Sequence, residues 1–217
     1  MKVYYLKGMS SNQDELDYLK MKFENEGMEL IPLVDNYAMY SKMSKDEIEA
    51  DLISRLPKDE KINLVCHSMG CNYGLLLANK LINIYHITFV SPEFESMTSS
   101  DYEAIDPSPR PMDHKPNKMK FGINKLKNIM AFVKSSKWSG IELKRFLITR
   151  DTPTLILYSS GDGFVSRKQF EDMYEFDNIS FHRFDTNNHN PLLENNKSVE
   201  LIKKDSTIVN TKGLVIY

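Results

Sequence analysis

The chain has 217 residues, with 28 Lys or Arg against 30 Asp or Glu and a formal net charge of −2. That length gives one domain of ordinary size with a substantial core. The near-neutral balance argues against a nucleic-acid binder, and no apolar run reaches the length of a membrane span.

Met1 to Gly8 is too short in apolar residues for a signal peptide and reads as a first strand over 2–7. A helix is predicted near 12–26, where Leu16, Leu19, Lys20 and Phe23 share one stripe. A strand over 28–34 precedes a helix near 44–56, with Ile48, Leu52, Ile53 and Leu56 on one side. Next comes the most informative stretch, Ile62-Asn63-Leu64-Val65-Cys66-His67-Ser68-Met69-Gly70-Cys71. A β-prone apolar run over 61–66 ends at Ser68, and a helix over 69–83 begins at once. A serine on such a sharp strand-to-helix turn projects its hydroxyl toward a helix N-terminus, where negative charge is favoured. Gly70 supplies a small residue where the two backbones nearly touch, and Cys66 stands where such turns usually carry glycine. The competing reading of Ser68 is a helix N-cap. The only two cysteines, Cys66 and Cys71, are expected as buried, reduced packing residues in a cytoplasmic protein, without a disulfide or a metal site.

A strand over 86–91 enters the long segment 92–151, and a strand over 153–159 resumes the pattern, ending in a turn that carries Asp162. A helix near 166–176, an alternating strand over 179–184, a loop holding His189 and a helix near 191–204 follow. The tail from 207 to 217 predicts a small hairpin covering a sheet edge. Regular β/α alternation predicts a three-layer α/β fold, a mostly parallel sheet of about six strands with helices on both faces.

Ser68, Asp162 and His189 thus stand in the order nucleophile, acid, base, each after a predicted parallel strand. In this the chain resembles the α/β-hydrolase superfamily along nearly its whole length, with two N-terminal strands of that family missing. The resemblance implies a serine esterase or lipase-like enzyme. His189 would be the base for Ser68, and Asp162 would fix the histidine tautomer, with no metal or organic cofactor. Oxyanion donors are expected from the backbone of Met69 and of Met9, with Ser10 the alternative to Met9, in the loop where the family usually carries His-Gly and this chain has Lys7-Gly8. Gly8, Trp138 and Phe164 are the candidates for substrate binding, and Asp185 is the reserve acid. His67 is read as a packing residue behind the nucleophile. The expected partner is a small ester or acyl substrate. A thioesterase, an acyltransferase or a non-catalytic ligand-binding protein on the same fold remains open.

From Arg110 to Arg150, eleven Lys or Arg face only Asp113 and Glu142, a formal +9 that leaves −11 on the rest of the chain. Met119, Ile123, Leu126, Ile129, Met130 and Val133 fall at helical spacing among those lysines. The segment 92–151 is therefore expected as a lid with a basic amphipathic helix. Its charge would complement the acidic body, an anionic substrate or an anionic membrane surface, the last in a contact not expected to be stable.

Overall fold

The computed structural model describes residues 1–9, 11–94, 123–163, 165, 170, 171, 173–194 and 196–212, with the side chains of 123–125 and 208–212 outside the described set. Six strands form one sheet: β1 (Lys2–Leu6), β2 (Glu29–Pro32), β3 (Ile62–His67), β4 (Ile84–Val90), β5 (Thr154–Ser159) and β6 (Ile179–Phe184). Their order is β2-β1-β3-β4-β5-β6, and every pairing is parallel. The order reverses between β1 and β3, the kind of point where open α/β sheets form a crevice at the strand C-termini.

Side chains alternate across the strands, as a two-residue period requires. Tyr4, Leu6, Leu64, Cys66 and Phe89 join one buried layer, with α2 (Lys45–Ser54), α3 (Met69–Lys80), α4 (Ile123–Thr149) and a 3₁₀ turn over Tyr37–Ser41. Val3, Tyr5, Val65, Val90, Leu157 and Phe184 join the other, with α1 (Gln13–Asn25), α5 (Pro191–Glu194) and α6 (Asn196–Lys212). This is the expected three-layer sandwich. Local chemistry sets the helix starts. Asn12 caps α1 by accepting from the Glu15 N–H at 2.9 Å, and Ser44 with Glu47 closes a capping box on α2. On α1 the fourth buried residue is Lys22 rather than the expected Lys20. Its ammonium donates to the Leu192 carbonyl at 2.6 Å and so ties α1 to the start of α5.

Two expectations change. The tail from 207 is not a hairpin: α6 continues to Lys212, and residues 213–217 lie outside the described set. Within this helix Ser206 and Thr207 return their hydroxyls to the carbonyls of Ile202 and Lys203, both at 2.7 Å. Of the predicted helix near 166–176, residues 166–169 and 172 lie outside the described set, and the described ones form a 3₁₀ turn at 170, 171 and 173 followed by a turn at 174 and 175.

Within 92–151, residues 95–122 are also outside the described set, and Ile123–Thr149 is one 27-residue helix. Its inner face buries Ala131, Ser135, Ser139, Glu142, Leu143 and Phe146. The buried Glu142 pairs with Lys45 and accepts from Asn79 Nδ2 at 2.7 Å. Arg150 donates to the Asn79 carbonyl at 2.5 Å, and Lys134 donates to that of Met43. This helix is seated on the body through polar contacts as well as through its apolar residues.

Candidate active site

Strand β3 is buried along its whole length and delivers the chain to Ser68 at φ 52° and ψ −124°. A positive φ on a non-glycine residue costs on the order of 1–3 kcal/mol and persists only where the surroundings enforce it. Here the Ser68 N–H donates to the Val90 carbonyl at 2.9 Å, and the Ser68 carbonyl accepts from the Cys71 N–H at 2.8 Å. The Ser68 hydroxyl makes no capping bond to α3, which removes the N-cap reading.

The turn is as tight as the sequence suggested. A Cβ on Gly70 would lie 2.2 Å from the Leu6 carbonyl oxygen and 2.8 Å from that of Lys7. Gly74 faces Cys66 Sγ, which a Cβ there would approach to 2.4 Å. Cys66 therefore fits in the strand because the residue opposite it on the helix has no side chain. Both thiols are unbridged, buried and pushed up in pKa, first of all by that burial. They are packing groups, not nucleophiles.

Two loops at the C-terminal ends of β5 and β6 converge on Ser68. After β5, Gly161 brings the backbone to Asp162 by lying close to Asn187, where a Cβ would come within 1.7 Å of Oδ1. The Gly161 N–H donates to the Thr186 carbonyl at 3.0 Å, and Ser159 Oγ donates to that of Asn188 at 2.6 Å. The turn carrying Asp162 and the loop carrying His189 are thus bound to each other. Asn190 Oδ1 then accepts from the Leu192 N–H at 3.2 Å and starts α5.

The result brings three of the expected residues together. His189 Nε2 lies 2.8 Å from Ser68 Oγ, and His189 Nδ1 lies 2.7 Å from Oδ2 of the buried Asp162. The carboxylate accepts, so Nδ1 carries hydrogen and Nε2 is left to take a proton from the serine hydroxyl. Asp185 is exposed and lies 3.5 Å from Arg183, away from this chain of bonds.

The other expected residues have varied positions. Met69 is fully buried and opens α3 directly after Ser68. Gly8 is buried against the site: a Cβ there would come 2.7 Å from His67 Nδ1 and 3.4 Å from Ser68 Cβ. Met9 follows it, partly buried against the core. The Lys7 carbonyl between β1 and this loop accepts from the buried Tyr37 hydroxyl at 2.8 Å. Trp138 stands edge-on to Tyr73, centroids 5.8 Å apart, in the layer between α3 and α4. Phe164 lies outside the described residues.

One neighbour was not anticipated. Glu93 follows the strained Ser91 (φ 46°) at the C-terminal end of β4, beside the strand that carries the serine. Burial pushes its carboxyl up to about 7. The charge of Asp162 pushes the same way, and that of His189 works against it. The available signal was Ser91-Pro92-Glu93 at the end of a strand adjacent to the serine strand.

No protein-family model and no curated protein matches the sequence. Solved structures do match. A carboxylesterase of the ammonia-oxidising thaumarchaeon Nitrososphaera gargenis aligns with a TM-score of 0.72 at 12% identity, over 97% of this chain and 91% of its own. A metagenome-derived lipolytic enzyme of the LipS and LipT study aligns at 0.64 and 13% identity, over 97% and 93%. An epoxide hydrolase of Bacillus megaterium aligns at 0.60 and 14% identity, over 95% and 93%. Identity this low establishes a shared fold. Their named chemistries differ, so the reaction has to be argued from side chains.

Proposed function

We propose that this chain, an α/β-hydrolase by fold, is a serine hydrolase that cleaves a small carboxylic ester through an acyl-enzyme. The observation that carries the proposal is the relay Ser68–His189–Asp162, with contacts of 2.8 and 2.7 Å, mounted on a serine held at positive φ. Ser68 Oγ would bond to the ester carbonyl carbon while its proton passes to His189 Nε2 and the carbonyl π pair moves onto oxygen. Collapse of that adduct breaks the carbon–oxygen bond to the alcohol, which leaves with the proton from His189. Water then repeats the sequence on the acyl-enzyme and releases the acid. Asp162 would hold His189 in the needed tautomer and stabilise its imidazolium. The Met69 and Met9 amides would donate to the oxyanion, one from the start of α3 and one from the loop after β1. Gly8 would leave room for the acyl group between them.

A fluorophosphonate probe tests the reading. A single adduct on the peptide containing Ser68, lost in Ser68→Ala together with turnover of a short nitrophenyl ester, is the expected outcome. Such a loss reaches on the order of 10⁶ in kcat where it has been measured in a serine triad. A folded wild-type protein that neither labels nor turns over would leave a binding protein in its place.

A further inference from the structure

Helix α4 has a second face that the described part of the body leaves exposed. Leu126, Met130, Val133, Ile141 and Ile148 are 57, 51, 50, 71 and 82% exposed. At 3.6 residues per turn they fall within an arc of roughly 80°, opposite Ala131, Ser135, Ser139 and Phe146, which face the core. Lys137 and Lys144 lie inside the same arc, and the exposed Arg145 flanks it. Between Ile123 and Thr149 there are five lysines and one arginine against a single acid, Glu142, which is buried and ion-paired with Lys45. The outward face therefore carries an apolar row with positive charge and no carboxylate. From Leu126 to Ile148 the row runs about 33 Å at 1.5 Å per residue.

From this juxtaposition we propose that the outward face of α4 docks the protein flat on an anionic lipid surface. Aliphatic side chains enter the boundary between headgroups and acyl chains, while Lys137 and Lys144 reach back to phosphate along their own apolar stems. A second copy fits less well, because a symmetric contact would set this cationic face against itself. A protein partner fits less well too. The row is a convex strip of Leu, Met, Val and Ile, without the Trp and Tyr that anchor protein interfaces. This docking is independent of the ester chemistry, and its test does not use turnover.

The full chain would be sedimented with vesicles of phosphatidylcholine alone, or with about one third phosphatidylglycerol, at low and high salt. Expected is binding to the anionic vesicles only, weakened by salt. Each Lys or Arg at such a surface contributes about fivefold, so Lys137→Glu/Lys144→Glu/Arg145→Glu should lose on the order of a hundredfold or more. Ile141→Ser/Ile148→Ser keeps every charge and should still lose at least about tenfold. Both variants should keep the wild-type thermal midpoint, which separates lost docking from lost folding. Several results would overturn the proposal: no binding to anionic vesicles, equal binding to neutral ones, or an unaffected Ile141→Ser/Ile148→Ser variant. So would a wild-type dimer that this variant dissociates, which would assign the face to a second copy. A dye on Met130→Cys that is already shielded without vesicles would assign it to residues 95–122 of the same chain.

Discussion

His67 Nε2 lies 3.2 Å from the backbone carbonyl of His189, the residue whose own ring reaches Ser68. A carbonyl only accepts, so His67 carries its hydrogen on Nε2 and leaves Nδ1 bare. Nδ1 is buried without a hydrogen-bond partner and points at Gly8. The two rings sit 5.2 Å apart. His67 therefore clamps the loop that presents His189 and at the same time forms the wall behind the loop after β1. Burial, followed by the proximity of His189, lowers its pKa to about 3, so the ring is neutral near pH 7.

That neutrality has a measurable consequence for stability. The unfolded histidine binds its proton below about pH 6.5, the folded one only near pH 3. Between these values the unfolded chain holds more protons, so stability falls as pH falls, by at most about 1.4 kcal/mol per pH unit from this group. His67→Gln keeps an N–H donor for the His189 carbonyl and removes the titration. Urea unfolding across this range should show a shallower acid loss in the variant. Parallel curves would mean that the ring charges in the folded protein.

Asp162→Asn tests the other bond to the histidine. The amide can present a donor to Nδ1 and so invite the wrong tautomer, with Nε2 carrying the hydrogen that should leave it free. A loss of about 10⁴ in kcat with little change in KM is expected, as for the corresponding change in a serine protease. Asp185→Asn, at the exposed ion pair with Arg183, should leave kcat within about twofold.

Two glycines should respond in opposite directions. Gly70→Ala drives a Cβ into the carbonyls of Leu6 and Lys7, backbone atoms that cannot rotate away. The start of α3 must then move off β1, at a cost of about 1–3 kcal/mol or more, which would also shift Met69, one of the two proposed oxyanion donors. Among the described residues, Gly140, inside α4, has only the Phe94 carbonyl within reach, 3.6 Å from where a Cβ would stand. Gly140→Ala should raise stability by about 0.5–1 kcal/mol through helix propensity. Thermal melts of the two variants read both signs.

The existence of the six strands and the residues that meet at Ser68 were legible because each depends on local signals in chain order. These were apolar runs of strand length, glycine at the close approach and turns at the strand ends. What was not legible depends on partners distant in sequence. Lys22 rather than Lys20 is buried because the carbonyls of Leu192 and Leu193 receive its ammonium. The helical spacing of Leu126, Met130 and Val133 identified an amphipathic helix, but not which face would meet the body. Polar residues settle that: Ser135, Ser139 and Glu142 are buried, with Asn72 donating to Ser135 and Asn79 to Glu142. The β-branched tail reads as strand by propensity, which a helix already under way overrides.

Glu93 gives the last prediction, because its ionisation falls in the neutral range. Its carboxyl rises from an ordinary 4.5 to about 7, chiefly through burial. Between these values the folded chain holds more protons than the unfolded one. Stability contributed by this group is therefore greatest at acid pH, declines as pH rises through the window, and is level above it. Glu93→Gln removes the penalty, so the variant should gain on the wild type as pH is raised from 4.5 to 7.5. In the rate profile, ionised Glu93 adds a second negative charge near the His189–Asp162 pair. Wild-type kcat/KM should then show an inflection near pH 7 that Glu93→Gln lacks. Urea titrations of both proteins at the two pH values, with ester kinetics between them, measure the two effects separately. A stability difference that stays constant with pH would mean that Glu93 titrates as an ordinary solvated carboxylate.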